Sequence, residues 1–279
     1  MTTIIALSGK IASGKTTAAN FLCGHSLASL GLVRSGFKIT PEGKLYVSDI
    51  MGNESLEGVF DPKRRTKDMR NFLRDHVDEY IKFYSFADSL KELAVNVLGL
   101  DEKLVFGSQK DKNTLCGLRW ENCVGVVTPE QLKFTELEEF GYVSQNRISD
   151  KLVNQLGLIV HEPGEMTVRE VLQYIGTDVF RRLVSDCWVK SILKKIEEDK
   201  PAIGCIDDLR FCSEANAVHE KGGYTIRLLR TTKEDTHESE SDLDDYKHFS
   251  FLVDNREMTV VECNSSIHYI LTQLNLIGE

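Results

Sequence analysis

Between Gly9 and Thr16 the chain reads G-K-I-A-S-G-K-T, matching the spacing G-x-x-x-x-G-K-[ST] at every position. The chemistry that asks for this spacing is the holding of phosphate groups. Gly9 and Gly14 permit backbone angles that other residues resist, so successive N–H groups turn inward around an anion. A helix opening after Gly14 adds its positive N-terminal end. Lys15 reaches the β- and γ-phosphates of a nucleotide, and the Thr16 hydroxyl ligates Mg²⁺. Ile11, Ala12, Ser13 and Thr17 complete the cradle, and the stretch predicts a site for ATP or GTP.

What receives a phosphoryl group is a separate question. The guanine-reading pattern N-K-x-D is absent, since "DKNT" at Asp111 to Thr114 has the wrong order. A small chain with a phosphate loop and no such pattern fits a kinase of a small metabolite. A hydroxyl acceptor needs a general base beside it. A monophosphate acceptor is already mostly a dianion at neutral pH. Its difficulty is repulsion, which several cations, preferably arginines, must offset. Arg119, Arg169, Arg181, Arg182 and Arg210 are suitably placed beside irregular or polar-striped segments. In "TVREVLQYIGTDVF" the residues Arg169, Gln173 and Thr177 lie four apart, on one face of an α-helix. Gly176 beside them would let a ligand approach the backbone. The other reading of that stripe is a solvated helix face. Asp208, after the apolar run Ala202 to Ile206, can hold Mg²⁺ or its water shell. Asp207 would face the opposite side, and Asp88 is a second candidate, or a plain helix cap.

The elements that must position these residues read as strands alternating with helices. Thr3 to Leu7 is a strand running into the glycine turn and a helix over Thr17 to Cys23. Phe37 to Asp49 alternates around "PEGK" and predicts a hairpin. Apolar spacing predicts an amphipathic helix over 66–82, then a strand over 83–87 and a helix from Asp88 to Leu98. Residues 108–164 are the least regular stretch and read as a loop-rich insertion that could form a lid. "TVRE" from Thr167 to Glu170 is a capping box opening a helix through Ile175, with another from Val179 to Glu198. A strand over 201–206, a helix over 213–221, a strand over 224–229, a last strand over 249–253 and a helix over 265–274 complete the order. The pattern predicts a three-layer α/β fold with a mainly parallel central sheet, as one domain over 1–279 with insertions at about 34–82 and 108–164.

Bulk properties bound the rest. The 279 residues carry a net charge of -9, which argues against an extended nucleic-acid partner. The seven cysteines form no C-x-x-C pair and fit no zinc framework, so reduced thiols are expected. No apolar run reaches the length of a membrane span and no secretory leader is evident, so a cytoplasmic protein without membrane attachment is expected.

Three longer stretches carry a resemblance. "FADSLKELA", "MTVREVLQYIGTDVFRRLVSDCWV" and "IDDLRFCSEANAVHEKGGYTIRLLR" resemble the deoxynucleoside monophosphate kinases of tailed bacteriophages. "HESE" at His237 to Glu240, followed by "FLVDN", is similar to that family's C-terminal segment. With the phosphate loop the resemblance covers both ends and most of the chain, least so at 34–82 and 128–164. It implies a fold like that of adenylate kinase and dephospho-coenzyme A kinase, and the reaction of Mg-ATP with a deoxynucleoside monophosphate to give ADP and the diphosphate. It implies Lys10 between donor and acceptor phosphates, acting with Lys15, Arg119 and Arg181 in catalysis. It also implies Lys91, Arg119 and Trp120 around the monophosphate, and Arg169, Gln173, Gly176, Thr177 and Trp188 on the nucleotide-binding helix and the segment after it. By residue type alone Trp188 reads as core. The resemblance favours Asp208 over Asp207 for the metal, and it implies a dimer and, for a phage protein, the host cytoplasm. A dephospho-coenzyme A kinase and a nucleotide-binding regulator without transfer activity are the rival readings.

Overall fold

The computed structural model describes residues 2–34, 36–50, 57–130, 157–230 and 242–276. The "HESE" segment and residues 131–156 of the loop-rich insertion lie outside them. The chain divides into two compact units, one formed by 1–89 with 186–279 and the other by 90–185.

The first unit is built on a sheet of five strands. They are β1 (Thr3–Ser8), β5 (Ile81–Tyr84), β10 (Ile203–Leu209), β11 (Tyr224–Leu228) and β12 (Phe251–Val253). Their spatial order is β12-β11-β1-β10-β5, and every neighbouring pair is parallel. A parallel sheet needs cover on both faces, so its strands read as continuous apolar runs rather than alternating ones. β1 shows this: Ile5 and Leu7 enter the core on one face while Ile4 and Ala6 enter the core on the other. The first face is covered by α1 (Lys15–Ser29) and α9 (Val260–Gln273), the second by α7 (Cys187–Asp199) and α8 (Cys212–Glu220). This is a mixed α/β architecture of three layers around a parallel sheet.

The hairpin expected at 37–49 is present as β2 (Phe37–Ile39) and β3 (Leu45–Val47), and a third antiparallel strand, β4 (Gly58–Phe60), extends it. This small sheet lies on α1. A Cβ on Gly24 of α1 would fall 2.3 Å from the Phe37 ring and 2.7 Å from Leu45. The expected helix at 66–82 is shorter, α2 (Lys67–His76), because Ile81 and Lys82 already pair with β10 as β5.

The second unit begins within α3 (Asp88–Asn96). It holds α4 (Glu102–Val105), α5 (Gln109–Lys112), β6 (Leu115–Arg119), β7 (Val126–Val127), β8 (Ile159–Val160), β9 (Glu165–Thr167) and α6 (Val168–Gln173). β6 pairs with β9 antiparallel and β7 with β8 parallel. Ala94, Leu100, Val105, Met166, Val168 and Val171 form its core. The capping box at Thr167 forms as expected: Glu170 N–H donates to Thr167 Oγ1 at 3.2 Å, and Thr167 N–H to Glu170 Oε2 at 2.7 Å. The helix then departs from expectation. From Tyr174 to Arg181 it takes π geometry, which widens each turn to an i→i+5 repeat.

None of the seven cysteines is in a disulfide. Among the described residues no helix is long and apolar enough to cross a membrane. Replacing Gly24 by alanine tests the α1 contact. Overpacking costs about 1–3 kcal/mol, opposed by about 1 kcal/mol of gained helix propensity. The urea midpoint of Gly24→Ala should fall with an unchanged slope; a midpoint at or above that of the parent chain would show that Phe37 and Leu45 can move aside.

Candidate functional site

The phosphate-loop motif forms the turn between β1 and α1. Gly9 (φ 151°) and Gly14 (φ 101°) take the positive angles the motif asks of them, and Ala12 does so without being glycine (φ 60°). Gly9 is required for a second reason. A Cβ there would meet Ser13 Oγ at 2.3 Å and the Leu228 carbonyl at 2.8 Å. Gly14 caps α1 without a side chain, so no capping oxygen competes for the first-turn amides. Ile11 and Thr16 are exposed, Ser13 is buried, and Thr17 packs where a Cβ of Gly43 would fall. Lys15 Nζ donates to the carbonyls of Gly9 and Lys10, the latter at 2.9 Å.

The loop is braced from behind. Asn255, 1% exposed, donates from Nδ2 to the Ser13 carbonyl at 2.8 Å and accepts from the Arg230 N–H at 2.8 Å. One amide therefore ties the loop to the chain beyond β11. Lys10 makes an ion pair with Asp244 at 2.8 Å. The other oxygen of Asp244 accepts from Arg227 Nη2 at 2.9 Å, and Arg227 Nη1 donates to Ser8 Oγ at 2.9 Å. Lys10, Arg227, Asp244, Tyr246 and Phe249 line a cavity of about 320 Å³.

At the end of β10, next to β1, Asp207 and Asp208 take different partners, as their alternation on a strand requires. Asp208 accepts from the Ser85 hydroxyl, from Phe86 N–H at 2.8 Å and from Ala87 N–H at 3.3 Å. Asp88 accepts from Ser85 N–H at 2.9 Å. Both carboxylates thus hold the turn between β5 and α3. Asp207 is buried and pairs with Lys63 from the segment after β4. Burial holds the Asp207 carboxyl above the ordinary range, and Lys63 offsets this only in part. Burial would lower the Lys63 ammonium, but the Asp207 and Asp208 carboxylates outweigh it and hold Lys63 charged. Whether this corner suits Mg²⁺ can be judged from its donor set. The Thr16 hydroxyl is exposed, and Asp208 with three donors retains acceptor capacity on its two oxygens. Among the described residues no group of three or more acidic, histidine or cysteine ligands converges.

In the second unit Arg169 donates from Nε to Asn113 Oδ1 at 3.0 Å and from Nη2 to Gln109 Oε1. Both partners are neutral, so the guanidinium is oriented without its charge being cancelled. Gln173 and Thr177 are exposed. The change to π geometry at Tyr174 breaks the four-residue stripe expected of Arg169, Gln173 and Thr177. The room left by Gly176 is taken by Leu90, whose Cδ2 would lie 2.8 Å from a Cβ there. Packing is therefore a sufficient reason for that glycine. Lys91 Nζ lies 5.4 Å from the Phe106 ring centroid. Arg181 ends the π-helix, half-buried; Arg182 Nη1 donates to the Gly157 carbonyl at 2.6 Å.

Arg119, 48% exposed, pairs with Glu121 at 2.6 Å. The other Glu121 oxygen accepts from Gly164 N–H at 2.9 Å. Trp120 stacks on His161 with centroids 4.1 Å apart and meets Tyr174 edge-on at 6.0 Å. Trp188 and Arg210 belong to the first unit. Trp188 is buried in α7, and the Arg210 N–H donates to Glu214 at 2.9 Å.

Sequence reasoning passed over Asn255, Arg227, Asp244 and Lys63. A charge inside the apolar strand "YTIRLL" was the available signal for Arg227, since a buried guanidinium requires a partner. Lys63 gave none, because its partner is 144 positions away.

No protein-family profile matches the chain. Among curated proteins it is 29% identical, over 185 residues, to the "Putative deoxynucleotide monophosphate kinase" of Acanthamoeba polyphaga mimivirus; the alignment spans 66% of this chain and 79% of that protein. The similarity is of modest degree, it is to a protein named as a kinase, and it is not confined to phages.

The Arg119 side chain, with the amides of Glu121 and Gly164, holds the Glu121 carboxyl down at about 2. A carboxylate lowered in this way keeps its stabilising contacts above the ordinary glutamate value and loses them as pH falls through the lowered one. The side-chain carboxyl resonance of Glu121 should therefore titrate near pH 2. A midpoint above pH 4 would mean that the Arg119–Glu121–Gly164 link does not persist in solution.

Proposed function

We propose that this chain is a kinase that transfers the γ-phosphoryl group of Mg-ATP to a deoxynucleoside monophosphate, giving ADP and the deoxynucleoside diphosphate. The observation that carries the reading is the loop from Gly9 to Thr16, with two positive-φ glycines, an uncapped helix start and a lysine folded across the turn. The likeness to a viral protein named as a deoxynucleotide monophosphate kinase supports the acceptor class.

In this reading the inward N–H groups of residues 9–16 and the start of α1 receive the donor's phosphates. Lys15 leaves its carbonyl partners for the β- and γ-phosphates, where a nucleotide oxygen competes well with a neutral carbonyl. Lys10 adds positive charge beside the transferred group. Thr16, with Asp208 through water, would hold Mg²⁺, which neutralises charge on the phosphate oxygens. Arg169, oriented by Gln109 and Asn113, is the acceptor-phosphate residue, with Arg119, Arg181 and Lys91 as further cations. Gln173 and Thr177, both exposed, are assigned to the nucleoside, and Trp120 to the surroundings of the monophosphate. No base is required, because the acceptor oxygen is already ionised near neutrality. Transfer is in line, without a covalent intermediate.

A coupled ADP-release assay over deoxy- and ribonucleoside monophosphates and dephospho-coenzyme A tests the reading. Stimulation by at least one deoxynucleoside monophosphate is expected. A response to dephospho-coenzyme A alone would assign the rival kinase, and no response would leave a nucleotide-binding regulator. Lys15→Ala should keep the parent melting temperature and lose turnover by at least about 100-fold; full activity in this variant would remove the loop from catalysis. Arg169→Ala should raise the KM for the monophosphate by about 10-fold or more while leaving that for ATP within about twofold. Equal losses for the two substrates would take Arg169 out of the acceptor site.

A further inference from the structure

The cation inside the loop motif, Lys10, is held by a chain of bonds that leads back into the sheet. Its ammonium meets Asp244 Oδ2 at 2.8 Å, and Asp244 Oδ1 meets Arg227 Nη2 at 2.9 Å. Arg227 is 8% exposed and cannot swing. Its Nη1 donates to Ser8 Oγ at 2.9 Å, and its guanidinium lies 5.7 Å from the Phe249 ring centroid. Ser8 is the last residue of β1, directly before the loop. A buried guanidinium needs a counter-charge, and Asp244 supplies it while keeping one oxygen for Lys10. A lysine ammonium is a point charge on a flexible stem with high rotamer entropy. Fixing one over a phosphate loop requires an acceptor that is itself fixed. The structure shows such an acceptor.

We infer that Asp244, anchored by Arg227, is a positioning residue that holds the Lys10 ammonium at the phosphate loop for phosphoryl transfer. The inference rests on the kinase reading above and deepens it, since Asp244 and Arg227 act through Lys10 rather than on either substrate. Asp244 serves two cations, one through each oxygen.

The test is a double-substitution cycle on the full chain with ATP and the deoxynucleoside monophosphate that the panel identifies. Asp244→Asn should lower kcat by about 10-fold or more with the KM for ATP within about twofold. In a Lys10→Ala background the same substitution should change kcat by less than about twofold, because its target is gone. Asp244→Glu keeps the charge and should recover part of the loss. Full additivity of Asp244→Asn and Lys10→Ala, or an unchanged kcat with tighter substrate binding, overturns the inference; the latter would make Asp244 a competitor of the phosphates. If Asp244→Asn does not fold, Asp244→Glu carries the test alone: its carboxylate is displaced by one methylene, so kcat must fall at a parent-like melting temperature, and an unchanged kcat refutes the role. A second readout needs no turnover. Site-resolved acylation of Lys10 by an amine-reactive ester should be several-fold faster in Asp244→Asn than in the parent. Equal rates refute the ion pair even if the kinase reading stands. If no monophosphate is accepted, that reading fails and acylation alone decides whether Asp244 holds Lys10.

Discussion

The site depends on a lack of space beneath the phosphate loop. Gly9 lies so close to the Leu228 carbonyl and to Ser13 Oγ that no side chain fits. The loop therefore rests on the backbone of β11, and its curvature is set by the sheet. The parallel order β11-β1-β10 then decides which side chains arrive beside it. Parallel strands end at a common edge, so the ends of β10 and β11 deliver Asp207 and Asp208 on one side of the loop and Arg227 on the other. Asn255 closes the arrangement from the end of β12.

Much of this was legible in the sequence because it is local. A phosphate loop is eight consecutive residues whose backbone angles follow from residue type, and Gly9, Gly14 and the following helix form as read. The capping box at Thr167 is likewise a contact between neighbours in sequence. The parallel sheet followed from alternation of strand and helix. What could not be read depends on distant pairing. The helix expected to run to Lys82 stops at His76 because Ile81 finds β10 more than a hundred residues away. The closing helix starts at Val260 rather than Ser265, because the capping box of Thr259 with Glu262 lies upstream of its most apolar stretch. Nothing in "TVREVLQYIGTDVF" signals that α geometry gives way at Tyr174, where the four-residue repeat ends. The candidate site divides in the same way. The loop residues are found from spacing, whereas Lys63, Arg227, Asp244 and Asn255 matter through partners that only the fold supplies.

The candidate cations of the two units also differ in how each is held, and the difference is electrostatic. Lys10 pairs with Asp244, Lys63 with Asp207 and Arg119 with Glu121. In a chain of net charge -9 such pairing fixes long side chains and lowers their attraction for stray anions. It also weakens each as a phosphate ligand, because a carboxylate must share or release it. The cost is smallest where the ion pair is exposed, as at Arg119, and largest where the acid is buried, as at Asp207. Lys63 is therefore suited to a permanent structural bond, whereas the exposed Arg119 can exchange its carboxylate for another anion at smaller cost.

Arg169 is held in another way. Gln109 and Asn113 present amide oxygens to two edges of the guanidinium, which sets the plane of the fork without opposing its charge. A guanidinium oriented by neutral acceptors keeps its attraction for a dianion, and its alignment is in place before the ligand arrives. Binding then need not break an ion pair first. By this physical criterion, rather than by its place in a helical repeat, Arg169 stays an acceptor-phosphate candidate; Arg230, whose Nε and Nη2 donate to the Asn255 and Met258 carbonyls, is held in the same neutral way. The π-turns that follow it leave that criterion untouched, because both orienting partners come from α5 and the residues just after it, not from the helix that carries Arg169.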